Sequence, residues 1–345
     1  MRVDRDLLLK EIVSVSPGLS MKADCLQSGD FIFKDGMLGT FNEETACRRP
    51  SLLNFTCAVA AVPMIQLLTQ MKESEIDVEM NGSNLIVKGK NKEAGIKLDK
   101  TIESPIESVE DPGKFKKLHP EFLQAIGKVH QSASEDTSQF NLTCLNIAPE
   151  WIEACDNWRL TRYKIETGFD SSLLVKEKSI KHIVGLGPTK FSVTSSFVHF
   201  KRPDGLVISC RKYIEDYPDL TDFLKTKGTK WMIPKGLKDA AEKGKIFTGE
   251  NQNANHLKVT LSPGKVIIKA EGENGYYKEG KKLEYKGERL IFKISPKMLI
   301  ELVDEHNEVL LSDTKIKVNG DKFEFVAALE TTEEPNDSTR QETED

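Results

Sequence analysis

Residues able to do covalent or metal chemistry are present in this sequence but are not grouped. Six cysteines, Cys25, Cys47, Cys57, Cys144, Cys155 and Cys210, are spread along the chain with no CxxC pair and no histidine close by. A zinc site needs Cys and His ligands at short paired spacings, so none is expected. The thiols read instead as buried, reduced side chains of a cytosolic protein. The six histidines (His119, His130, His182, His199, His256 and His306) are equally scattered. Gly185-Leu186-Gly187-Pro188-Thr189-Lys190 has the glycines and lysine of a phosphate loop but not its spacing, and Pro188 opposes the helix entry such a loop needs. No Gly-x-Ser-x-Gly turn is present to present a nucleophile. The expectation is a protein that binds rather than catalyses, with no metal and no cofactor.

What it could bind is constrained by charge. The chain of 345 residues carries a formal net charge of −5. Residues 331–345 hold six acids (Glu333, Glu334, Asp337, Glu342, Glu344 and Asp345) against Arg340, which leaves residues 1–330 formally neutral. A tail of that composition buries too little apolar surface to offset its ordering entropy and is expected to be disordered. A neutral body attracts nucleic acid only if its lysines are sorted onto one surface. No run approaches the roughly 18 apolar residues that span a bilayer. The opening Met1-Arg2-Val3-Asp4-Arg5-Asp6 lacks the apolar core of a signal peptide, so a cytoplasmic protein without membrane partners is expected.

The elements that must position any binding residues repeat with a period of about 115 residues. Apolar residues at i, i+3 and i+4 mark a short helix in each third: Met64-Leu67-Leu68, Ile180-Ile183-Val184 and Leu299-Leu302-Val303. Leu67 and Ile183 are 116 residues apart, and Ile183 and Leu302 are 119 apart. A short apolar strand ending at Val59, Val175 or Ile294 leads into each helix. A strand pair follows each one: Ile76–Met80 with Leu85–Val87, Phe191–Val193 with Val198–Phe200, and Val309–Leu311 with Ile316–Val318. Alternation broken by Asn, Gly, Ser or Asp is the hairpin signature. Another helix opens each third, at Leu7–Val15, Pro120–Val129 and Lys235–Gly244, and a polar residue recurs at a strand end as Asn42, Asp156 and Glu271, 114 and 115 residues apart. The reading is α+β, with three tandem copies of one domain, each of two helix-plus-antiparallel-sheet units. Boundaries fall at 1–112, 113–229 and 230–330, with 331–345 as the tail; the punctuation is Ser104-Pro105 to Asp111-Pro112-Gly113, and Tyr217-Pro218-Asp219.

The stretch Ala154-Cys155-Asp156-Asn157-Trp158-Arg159-Leu160 resembles the second domain of the bacterial β sliding clamp, the DNA polymerase III beta subunit family, which reads Ala-Thr-Asp-Gly-His-Arg-Leu there. Tyr217-Pro218-Asp219 arrives at the family's Tyr-Pro-Asp. Gly236-Leu237-Lys238-Asp239-Ala240 resembles the opening helix of the third domain, Phe323 to Leu329 its terminal strand, and Glu75 to Lys88 a hairpin of the first. Order and spacing over residues 1–330 carry the likeness. It implies a head-to-tail homodimeric ring around duplex DNA that tethers a polymerase and does no chemistry.

Three surfaces follow from that resemblance. DNA-facing positions would be Arg5, Lys10, Lys22, Lys116, Lys117, Lys128, Lys178, Lys181, Lys235, Lys238 and Lys297, giving non-specific, salt-dependent attraction to phosphate. A cleft between domains two and three would take short peptides of a polymerase or clamp loader, using Cys155, Asn157, Trp158, Arg159, Leu160, Ile233, Phe325, Val326, Ala327, Ala328 and Leu329. Ile246 and Phe247, read as adjacent strand residues that cannot both face inward, would meet the partner's first domain, with Ile96 on the other side of that joint. The departures (Asn157 and Trp158 for Gly and His, Ala327 for a usual Pro, an acidic tail) point to a divergent, phage-encoded member. They also motivate a second reading, a clamp-fold protein that sequesters replication-factor peptides without encircling DNA.

Overall fold

The computed structural model describes residues 1–22, 24–234, 236–248, 256–273, 275–305 and 308–331. One succession of elements occurs three times. The first repeat runs β1 (Arg2–Asp4), α1 (Arg5–Ser14), β2 (Asp30–Lys34), β3 (Met37–Phe41), β4 (Thr45–Pro50), β5 (Cys57–Ala60), α2 (Ala61–Gln70), β6 (Glu75–Asn81), β7 (Asn84–Gly89) and β8 (Lys92–Asp99). The second runs β9 (Lys116–Lys117), α3 (Phe122–Val129), β10 (Cys144–Ile147), β11 (Trp151–Cys155), β12 (Arg159–Lys164), β13 (Leu173–Lys176), α4 (Glu177–Ile180), α5 (His182–Leu186), β14 (Lys190–Val193), β15 (Phe197–Lys201) and β16 (Val207–Tyr213). After a short α6 (Thr221–Leu224), the third runs β17 (Thr229–Met232), α7 (Leu237–Lys245), β18 (Leu257–Ser262), β19 (Lys265–Gly272), β20 (Gly275–Lys282), β21 (Leu290–Ile294), α8 (Pro296–Glu305), β22 (Glu308–Leu311), β23 (Lys315–Asn319), β24 (Phe323–Ala328) and β25 (Glu330–Thr331).

Pairing repeats as faithfully as order, and the pairs named below are antiparallel. β1 pairs β6, β9 pairs β14 and β17 pairs β22. The last strand of each repeat closes its fold twice. β8 pairs β7 and β5, β16 pairs β15 and β13, and in the third repeat the task is divided between β24 on β23 and β25 on β21. Within each repeat the two helices pack together, α1 on α2, α3 on α5 and α7 on α8.

The helices form because their apolar residues recur at the helical period. α3 buries Phe122, Ala125, Ile126 and Val129, and α7 buries Leu237, Ala240, Ala241 and Gly244. Gly244 is needed there, since a Cβ would come within 2.7 Å of the Leu257 side chain on β18. Asp4 caps α1 by accepting the Leu7 N–H at 2.8 Å. The β2–β3 hairpin turns through Asp35 and Gly36 at φ 51° and 71°, the left-handed pair a two-residue hairpin requires. The middle helix of the second repeat departs from expectation: it is two short pieces, α4 and α5, ended by Gly187 at φ 66°.

By compactness the chain divides into two units: Met1–Ala154 with Tyr163–Tyr217, and Cys155–Arg162 with Pro218–Asp345. The first unit holds two repeats because β4 of the first pairs β16 of the second, from Thr45 opposite Cys210 to Arg48 opposite Val207. Phe31, Phe33, Phe122, Phe191 and Phe200 are fully buried within it. The second unit has its own core, with Trp231, Phe292, Leu257 and Val259 fully buried.

Candidate partner-docking site

The turn at Asp156 is built by its own side chain. Asp156 Oδ1 accepts the N–H groups of Trp158 and Arg159, each at 2.8 Å, and its Oδ2 holds Arg159 Nε at 3.1 Å. This Asx turn fixes the tip and leaves Asn157 exposed and Trp158 57% exposed. The Trp158 carbonyl accepts the Ala328 N–H at 2.7 Å, which ties the tip to the end of β24.

The second unit braces this arrangement with two lysines. Lys317, only 8% exposed, donates to the Leu224 carbonyl at 2.7 Å and to Glu324 at 3.0 Å. Lys315 donates to the Phe223 carbonyl at 3.3 Å, and its ammonium lies 4.6 Å from the Phe223 ring. Both hold the carbonyl end of α6 against the terminal strands, where a buried ammonium would otherwise be costly. The sequence reading marked this segment only as a junction, and no spacing announced these contacts.

Of the residues expected in a peptide cleft, the structure keeps five accessible: Asn157 and Trp158 exposed, Arg159, Ile233 and Ala328 half-buried. The remainder are core. Cys155, Leu160, Phe325, Val326, Ala327 and Leu329 are all 8% exposed or less, and Phe325, Ala327 and Leu329 belong to the core cluster of the second unit. Three consecutive residues of β24, Phe325, Val326 and Ala327, are buried, so in this chain these side chains are packed and not presented to solvent. Trp158 is the large apolar side chain the turn presents to solvent.

The basic residues sort less cleanly than expected. Lys10, Lys22, Lys117, Lys178 and Lys297 are exposed, while Arg5, Lys128, Lys181 and Lys238 are half-buried. Arg5 pairs with Asp6 at 2.8 Å, Lys116 with Asp170 at 3.1 Å, Lys181 with Glu177 at 3.3 Å and Lys238 with Glu242 at 4.0 Å. Lys116 and Lys117 belong to the strand β9, where Lys117 stands opposite Lys190, and are not presented by a helix. Lys235 lies outside the described residues. The helical segments are near charge balance, with no charge on α2 and three acids against one lysine in the sequence of α8.

Ile246 and Phe247 follow α7 in a helical turn, not a strand as expected, with the Phe247 N–H donating to the Gly244 carbonyl at 2.9 Å. The division of labour between them is nonetheless sharp. Phe247 stacks on Tyr277 of β20 with ring centroids 6.1 Å apart, Ile246 stands 71% exposed, and Tyr276 on β20 is 70% exposed. Ile96 is 6% exposed in β8, a core residue of its own repeat.

Five cysteines are buried and Cys25 is half-buried, and burial pushes the Cys47 thiol up to about 12 and the Cys57 thiol up to about 11. His199 sits between Thr194 (3.0 Å) and Ser209 (2.8 Å), and burial lowers it to about 4. Gly187 ends α5 as a left-handed cap, so the glycine-rich segment closes a helix instead of opening one. Among the described residues no group of three or more Cys, His, Asp or Glu could hold a metal ion, and no helix is long and apolar enough to cross a membrane.

Comparison with known proteins agrees with the repeat. The fold matches the DNA polymerase III subunit beta of Pseudomonas aeruginosa with a TM-score of 0.78 at 15% identity, covering 96% of this chain and 100% of that one. It matches the DNA polymerase III beta subunit of Thermotoga maritima with a TM-score of 0.80 at 15% identity over 96% and 99% of the two chains. The beta chain of Streptococcus pneumoniae gives 0.79 at 14% identity, with the same coverage. No protein-family model matches the sequence, and no curated protein matches it.

Proposed function

We propose that this chain, which has the fold of the bacterial DNA polymerase III beta subunits, is a DNA sliding clamp made of three clamp domains (1–112, 113–229 and 230–330). The observation that carries this reading is a pair of unused strand edges. β4 of the first repeat pairs β16, the last strand of the second. The counterpart of β4 in the third repeat is β20, and the counterpart of β16 in the first is β8. Among the described residues β20 pairs β19 alone, and β8 pairs only strands of its own repeat. A second copy placed head to tail satisfies both edges at once, and two copies close a ring in which every β8 and β20 edge is paired. Tyr276 on β20 and Ile246 at the end of α7, both exposed, supply the apolar contact at that joint.

In such a ring the helices line the hole. Near charge balance, with lysines such as Lys10, Lys178 and Lys297 exposed, gives weak non-specific attraction to duplex phosphate, which suits sliding. Trp158 is the anchor for an extended peptide of a polymerase or loader docking beside Ala328. The protein works in the cytoplasm. The test is retention on circular DNA compared with the same DNA linearised. Loss on linearisation alone supports encirclement, and equal loss from both overturns it.

The same charge balance also favours the second reading, a clamp-fold protein that captures replication peptides without encircling DNA. Peptide affinity at Trp158 together with an absence of retention on circles would select that reading.

A further inference from the structure

We propose that the outer face of the sheet in the third repeat is a seat for an acidic polypeptide, and that its occupant is the acidic segment Glu333–Asp345 of the same chain. The inference is independent of ring formation. It rests on one row of residues that can be followed through all three repeats by strand register.

In the third repeat Lys293 stands opposite Lys258, Lys258 opposite Lys269, and Lys269 opposite Lys278. Their neighbours along each strand, Leu257, Val259, Ile268, Ala270, Phe292 and Ile294, are buried, so the four lysines share the face turned away from the core. Neighbouring strands are about 4.8 Å apart, which puts four ammonium groups along roughly 14 Å. Like charges directly opposite one another destabilise a sheet. Glu271 meets Lys269 at 2.5 Å on the same face and Glu330 meets Lys293 at 2.9 Å, so a further counter-charge is called for at Lys258 and Lys278.

The equivalent rows lack this problem. Lys293 lies three residues before α8, as Ala58 lies before α2 and Leu174 before α4. In the first repeat the row is Ala58, Ile32, Gly39 and Arg48. There the segment following β8 covers it: a Cβ on Gly39 would meet the Ile106 side chain at 2.6 Å, and Arg48 donates to the Ile106 carbonyl. In the second repeat the row contains Asn146 and Glu153, both buried and bonded to each other at 2.9 Å.

In the third repeat the segment following β24 is the acidic one. Its first acid is already on the row, since Glu330 stands opposite Lys293 and pairs with it at 2.9 Å. Extended chain covers about 3.3 Å per residue, so Glu333, Glu334 and Asp337 come within reach of Lys258, Lys269 and Lys278. Repeat position and charge thus name the same occupant.

Carbodiimide coupling of the full chain, read by mass spectrometry, tests this because it joins only a carboxylate and an amine in contact. We expect acids of 333–345 joined to Lys258, Lys269 and Lys278. The yield should fall about tenfold in ~1 M salt, where screening acts within roughly 3 Å, and also in a Lys258→Gln/Lys269→Gln variant. Coupling spread evenly over exposed lysines such as Lys10 and Lys178 overturns the proposal. So does coupling found only between differently isotope-labelled copies. An oligonucleotide that protects these lysines from acetylation, where no tail coupling occurs without it, would give the face to nucleic acid and overturn it as well.

Discussion

The turns at Asn42 and Asp156 are the same piece of backbone put to two uses. Asn42 Oδ1 accepts the N–H groups of Glu44 (3.2 Å) and Thr45 (2.8 Å), as Asp156 does for Trp158 and Arg159. The Glu44 carbonyl accepts the Arg211 N–H at 2.8 Å, as the Trp158 carbonyl accepts that of Ala328 at 2.7 Å. The third turn residue differs. Glu44 is drawn in, pairing with Lys176 at 2.7 Å and accepting from the Tyr213 hydroxyl at 2.8 Å. Burial first, then Glu44, raises the Tyr213 pKa. Trp158 in the same place is 57% exposed. A half-buried ion pair with a tyrosine marks a structural joint. An exposed indole on an equally rigid turn stabilises little in the folded chain and is available to a partner.

The largest test of the sealed joint uses pH. His199 backs β16 through Ser209, and its folded pKa of about 4 lies below the ordinary 6.5. The unfolded chain therefore takes up the proton first. His199 contributes in full above pH 6.5, and stability is lost as pH falls towards 4, by at most about 3 kcal/mol. Urea midpoints between pH 4 and 7 measure this, and His199→Gln should flatten the slope; an unchanged slope means His199 is not its source. Next in size is Glu44→Ala, which leaves Lys176 and Tyr213 without their carboxylate and should cost about 2 kcal/mol after allowing for partial exposure. Trp158→Ala should change stability by less than about 0.5 kcal/mol while weakening a docked peptide by about tenfold or more. A stability loss comparable with that of Glu44→Ala would erase the distinction between the two turns. Most nearly equal, Asn42→Ala and Asp156→Ala should each cost about 1 kcal/mol of stability. A large gap between them in denaturant melts would show that the turns are not equivalent.

Much of the fold was legible because it is written in periodicity. The strand–helix–hairpin units around Leu67, Ile183 and Leu302 appear where the spacing placed them, since a 3.6-residue or two-residue repeat of apolar side chains has few ways to be buried. The marker residues were legible in part. Asn42 and Asp156 both cap a turn, but Glu271 lies within β19 and pairs with Lys269 at 2.5 Å. Ile246 and Phe247 were misassigned to a strand because adjacent apolar residues fit a helix end equally well. The cleft residues on β24 were legible as apolar, but apolar composition is the same whether a strand lines a groove or fills a core.

By itself the sequence determined the three-fold repeat, the strand–helix–hairpin order within it and the acidic end, all of which depend on residues close together in the chain. Only the tertiary structure decided that Glu44 is sealed while Trp158 is open, that Lys315 and Lys317 grip α6, and that four lysines fall in one row. Those facts depend on strand register and on which residues, distant in sequence, come to cover one another. A shift of one residue in register would turn each of these side chains to the opposite face without altering any local pattern.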